Sequence, residues 1–81
     1  MKKIVLINYS YENGDGLTID ASMLHEIDKD VNSEDYAEFF ILSCNEAHAG
    51  AGELFSLIYV NDSLADGEIE VLKKYIYFYS A

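Results

Sequence analysis

The 81-residue chain has no proline, no tryptophan and no arginine, and its one cysteine is Cys44. A lone cysteine excludes an internal disulfide. The lack of proline and of any low-complexity run leaves no sign of a linker, so the chain reads as one small acidic domain over residues 1–81. Long apolar stretches are missing too. After Met1-Lys2-Lys3 come only four consecutive aliphatics, Ile4 to Ile7, too few for a signal-peptide core or a membrane span. The expectation is a soluble cytoplasmic protein. Basic residues are scarce where acids are dense: all fifteen carboxylates lie between Glu12 and Glu70, a stretch whose only basic residue is Lys29. Such a surface repels nucleic acid and anionic membrane and attracts cations or basic protein surfaces.

What is present is a folding composition. Half the residues are apolar, with seven tyrosines and four phenylalanines, unlike the aromatic-poor acidity of disordered chains. Lys3 to Tyr11 is rich in β-branched and aromatic residues, and Asn13-Gly14-Asp15-Gly16 is a strong turn signal before Leu17-Thr18-Ile19. This predicts an N-terminal β-hairpin. Next, Asp20 or Ser22 can cap a short helix with Leu24, Ile27 and Val31 on one face and His25, Glu26, Asp28, Lys29 and Asp30 outward.

Ser33, followed by Glu34 and Asp35, suits a helix start. A helix from there to about His48 would bury Tyr36, Phe40, Cys44 and Ala47, with Gly50 closing it. Phe39 to Leu42 also reads as a buried strand, but the helix is favoured. Leu54 to Val60 reads as a strand. A last helix is expected from about Asp66, while Tyr75 to Tyr79 alternates well enough to be a strand returning to the sheet. The predicted fold class is α+β: a small antiparallel sheet with an N-terminal β-hairpin and two or three helices packed on one face.

Several motifs offer chemistry. Ile27-Asp28-Lys29-Asp30-Val31-Asn32 looks like the opening of an EF-hand loop, but Ser33 replaces the turn glycine and Phe39 stands where the bidentate carboxylate belongs. A second near miss starts at Asp62, with Leu64 at a ligand position and Lys73 at the last one. Solvated acids are the better reading of both. Cys44 and His48 lie one helical turn apart, half a zinc site at most, and the acidic neighbourhood disfavours a thiolate. A buried small hydrophobe is the simpler role for Cys44. Ala49-Gly50-Ala51-Gly52 lacks the context of a phosphate loop. No catalytic residue or cofactor is indicated, so an enzyme is the least favoured class. Among the tyrosines, Tyr75, Tyr77 and Tyr79 can form a partner-facing stripe, and about half of all seven rings are expected to be exposed.

The acids themselves remain. Glu26, Asp30, Glu34 and Glu38 recur every four residues, which on helical segments sets neighbours about 5 to 6 Å apart, comparable with phosphates along a nucleic-acid strand. Acidity can serve solubility alone, but an ordinary soluble surface intersperses both signs. In size, charge and lack of catalytic residues the chain resembles the small acidic inhibitors made by phages and mobile elements, the anti-CRISPR and anti-restriction proteins. That resemblance is one of class, with no motif to align. It implies a stoichiometric inhibitor that occupies a basic nucleic-acid-binding surface of a nuclease complex, with no direct contact to nucleic acid or membrane. The partner-binding residues would be Glu26, Asp28, Asp30, Glu34, Asp35 and Glu38, with Asp62, Asp66, Glu68 and Glu70 as a second patch. The alternatives are an immunity protein capping a toxic nuclease and a degenerate EF-hand-like cation-binding module.

Overall fold

The computed structural model describes residues 1–80. Strands β1 (Lys2–Glu12) and β2 (Thr18–Asp28) form the expected hairpin, eleven residues each, paired antiparallel from Lys2 with Asp28 to Glu12 with Thr18. The turn works as its sequence suggests. Asn13 Oδ1 accepts from the N–H groups of Asp15 and Leu17 at 2.9 and 3.0 Å, and Gly16 takes a positive φ of 87° that favours glycine.

Helix α1 (Ser33–His48) follows, then a 3-10 turn (Ala49–Ala51). Next come strand β3 (Leu54–Asn61), helix α2 (Asp66–Leu72) and strand β4 (Tyr77–Ser80). The sheet order is β3-β1-β2-β4, with β3 antiparallel to β1 and β4 parallel to β2. The outcome is the small α+β fold that was expected, with two helices packed on the sheet, which the parallel β4 makes mixed and not wholly antiparallel. Both open segments are decided here: Tyr36 to Cys44 is helix, and of Tyr75 to Tyr79 only Tyr77 to Tyr79 are strand, within β4, while Tyr75 and Ile76 lie in the turn that follows α2.

Strand alternation sorts the side chains. Val5 and Ile7 on β1 and Ile27 on β2 pack with Ala37 of α1, and Tyr9, Tyr36, Phe40, Leu57 and Val60 surround them. On the opposite face Leu6 and Leu24 are buried side by side in register, and Phe78 pairs with Leu24. The ammonium of Lys73, at the end of α2, lies 4.8 Å from the Phe78 ring centroid.

Four local expectations are corrected. Residues 20–31 do not form a helix: Asp20 to Asp28 belong to β2, and Val31 is exposed. The spacing of Leu24 and Ile27 mimics a helical face, but hydrogen bonding to β1 along the whole hairpin prevails, and the two residues lie on opposite faces of the sheet. In α1 the buried positions are Ser33, Ala37 and Ile41, with Tyr36, Phe40 and Cys44 half-buried and Ala47 exposed. The face is therefore rotated from the one predicted. Its N-cap is Asn32, whose side chain accepts from the Asp35 N–H at 3.0 Å, not Ser33. Closure falls to Gly52, in the left-handed region at φ 71°, and not to Gly50.

Candidate functional site

Since residues 20–31 are strand and turn, the four-residue recurrence from Glu26 to Glu38 is not a helical stripe. Only Glu34, Asp35 and Glu38 share a helix. Glu26 lies on β2 and accepts from the Ser80 hydroxyl at 3.2 Å, beside the C-terminal edge strand. Asp28 ends β2 and accepts from the Asp30 N–H at 3.0 Å, which, aided by nearby Lys2, holds its carboxyl below the usual range. Asp30 lies in the turn that leads to α1.

The second patch divides. Asp62, just past β3, joins the start of α1: Ser33 donates its hydroxyl to Asp62 Oδ2 at 2.6 Å, and Lys3 Nζ is 3.6 Å from the same oxygen. The Ser33 hydroxyl first and Lys3 second lower the Asp62 pKa. Asp66, Glu68 and Glu70 stay on α2. There Glu68 accepts from the Ala65 N–H at 2.9 Å, tying down the first turn, and Glu70 lies 3.5 Å from Lys73.

Fold thus draws together Glu34, Glu38 and Asp62. Two adjoining hollows of about 220 and 320 Å³ share Glu34 and Val60; one reaches Asp62 and the other Glu38. Their far wall is the outer edge of β3, where Ile58 and Tyr59 are about half exposed, at 49% and 48%. Glu34 and Glu38 have no ion-pair partner among the described residues.

The calcium-like loops do not form. The first lies after a strand, not a helix, and the second is occupied by α2 itself. Among the described residues no three His, Cys, Asp or Glu side chains are grouped as a metal would require. Cys44 is half-buried, and burial pushes its thiol pKa up, which lowers the thiolate fraction. His48 is turned to Glu53, Nδ1 to Oε1 at 3.1 Å, and the other oxygen of Glu53 accepts from the Tyr11 hydroxyl. Four of the seven tyrosines, Tyr59, Tyr75, Tyr77 and Tyr79, are exposed, close to the expected half.

Two residues escaped the sequence reading. His25, expected to face solvent, is 1% exposed. Its Nδ1 lies 2.8 Å from the Tyr36 hydroxyl, its ring meets Phe40 edge-on at 4.5 Å, and Tyr79 is 5.2 Å away. Nε2 is buried with no partner among the described residues, and burial lowers the imidazole pKa. The alternation of Ala21, Met23, His25 and Ile27 was the available signal. The other is Asn45, whose amide accepts from the Phe55 N–H at 2.7 Å and donates to its carbonyl at 2.9 Å, as a neighbouring strand would. Nothing in the local sequence marks that role.

No protein-family model matches the chain, and comparison with curated proteins and with solved structures also finds no match.

Proposed function

We propose that this protein is a stoichiometric inhibitor that covers the basic, nucleic-acid-binding surface of a nuclease or CRISPR-type complex in the cytoplasm, its carboxylates standing in for phosphates. The observation that carries this reading is the acidic end of the molecule. Glu34 and Glu38, about 5 to 6 Å apart as helical neighbours, line one hollow system with Asp62, while Asp28, Asp30 and Asp35 flank the same turn-to-helix junction. Lys3 is the one lysine paired with any of these acids, among the described residues.

A field of this kind attracts a basic surface quickly and loses hold as salt rises. Glu26, Asp28, Asp62, Glu68 and Glu70 already have intramolecular partners, so Asp30, Glu34, Asp35 and Glu38 carry more of the contact. Asp66, exposed at the start of α2, belongs to a peripheral patch.

The test is affinity capture from a bacterial lysate at low salt, beside a variant with Asp28, Asp30, Glu34 and Glu38 changed to lysine. Circular dichroism first checks that the variant folds. A nucleic-acid-processing protein retained by the native chain, released by salt, displaced by DNA or RNA and missed by the variant supports the inhibitor reading. Equal recovery by both proteins counts against it.

A further inference from the structure

We infer that the open edge of β3 beside α1 is a strand-addition site for an extended segment of the partner that carries lysine or arginine at alternate positions. The choice of a basic partner rests on the function proposed above; the site rests on main-chain geometry. Among the described residues β3 ends the sheet and pairs only with β1. Asn45 bonds both main-chain groups of Phe55, so those groups point away from β1, and by strand alternation so do those of Leu57. Asn45 closes the edge at Phe55. Among the described residues no side chain does the same from Leu57 to Val60.

That open stretch is where the acidic hollows lie. Glu34 and Glu38 stand along it, unpaired, while Ile58 and Tyr59 offer apolar contact from the strand. The spacings agree. Four residues of helix rise about 6 Å, and alternate residues of an extended strand are about 6.6 Å apart. A segment laid along β3 would therefore set successive basic side chains against Glu34 and Glu38 in turn.

The register shift between the pairs of Asn8 and Tyr9 makes Ile58 an extra residue. Such a bulge shortens the ladder that an added strand can form, so charge has to supply part of the selectivity. A second copy of this chain is a poor occupant, because its own β3 has no lysine and its net charge is also −10. Recognition by an added strand plus side-chain contacts is an established mode for extended peptides.

The experiment titrates the full chain into fluorescently labelled short peptides and reads anisotropy. One peptide alternates lysine with valine, a second has the same composition with its lysines in one block, and a third is the alternating peptide N-methylated at every second amide. The alternating peptide is expected to bind at least about tenfold more tightly than the other two, and to weaken about tenfold with E34Q/E38Q, which leaves both exposed positions able to stay helical. Amide NMR shifts should concentrate at Leu57 to Val60. Equal binding of all three peptides, or no change with E34Q/E38Q, overturns the site. If the chain captures a basic nuclease that E34Q/E38Q does not release while the peptides fail to discriminate, this site is wrong and the proposed function stands. Discriminating peptide binding without any nucleic-acid-binding partner leaves the site standing and removes that function.

Discussion

Replacing His25 with phenylalanine should leave the protein as stable as before or more so, despite the loss of a hydrogen bond in the core. In the native chain Nδ1 bonds the Tyr36 hydroxyl while Nε2 is buried and unpartnered. An orphaned buried polar atom costs about 1 to 3 kcal/mol, whereas one neutral hydrogen bond contributes about 0.5 to 1.5 kcal/mol net. His25→Phe removes both. Tyr36 is only half-buried, so its hydroxyl can turn to water. The hollow of about 230 Å³ bordered by His25, Phe40 and Tyr79 has room for the larger ring. The balance favours the variant by about 1 kcal/mol, or roughly 4 to 8 °C in Tm for a domain of this size. His25→Ala instead opens a cavity among the aromatic rings and should cost several kcal/mol.

The pH dependence gives a second readout from the same residue. Burial favours the neutral imidazole in the folded state, while the unfolded chain takes up its proton near the ordinary value of about 6.5. His25 therefore contributes full stability above that pH, and the contribution falls as pH drops below it towards the lowered folded value. The facing groups are the Tyr36 hydroxyl, Phe40 and Tyr79; Glu26, its sequence neighbour, points to the other side of the sheet towards Ser80. Among the described residues no carboxylate is poised to rescue the imidazolium. Urea unfolding followed by far-UV circular dichroism, at about pH 8 and about pH 5, should show native stability falling with acid and His25→Phe stability falling much less. A His25→Phe protein that is clearly less stable than native at the higher pH, or that keeps the full acid sensitivity, would refute this account.

Other changes test the remaining joints. Asn32→Ala removes the cap of α1 and should cost about 1 kcal/mol, seen as a lower urea midpoint with an unchanged m-value. Asn45→Ala strips both main-chain bonds from Phe55 and should cost about 1 to 3 kcal/mol; lengthening the exposed edge should also raise self-association in size-exclusion chromatography. Gly52→Ala forces a β-carbon into the left-handed region and should destabilise by about 1 kcal/mol in thermal melts, whereas Gly50→Ala, with open space around it, should not. Asp28 and Asp62 have lowered folded pKa values, so their contribution is present above about pH 4 and lost as pH falls further. Asp62→Asn should therefore flatten the acid limb of a stability profile measured below that pH.

Where local chemistry was decisive, the sequence was readable. Asn13 to Gly16 could hardly be anything but a tight connection, and the acids after Asn32, with Ala37 to Ala47 behind them, suit a helix on dipole and propensity alone. Residues 20–31 were misread because Leu24, Ile27 and Val31 satisfy a helical period while Ala21, Met23, His25 and Ile27 satisfy a strand period. Pairing with β1 chooses between them, and that pairing is a long-range contact. The candidate site followed the same division. Its acids could be named from the sequence, but the grouping of Asp62 with Glu34 and Glu38 depends on the end of β3 lying beside the start of α1, fixed by the bonds among Ser33, Asp62 and Lys3.

By itself the sequence determined the charge, the hairpin turn, the main helix and the α+β class, because each follows from composition or from residues close in the chain. Only the tertiary structure decided which acids share a surface, that His25 is buried with an unpaired nitrogen, and that Asn45 closes part of the β3 edge while leaving Leu57 to Val60 open. Those features arise from contacts between distant residues, whose register no local pattern encodes.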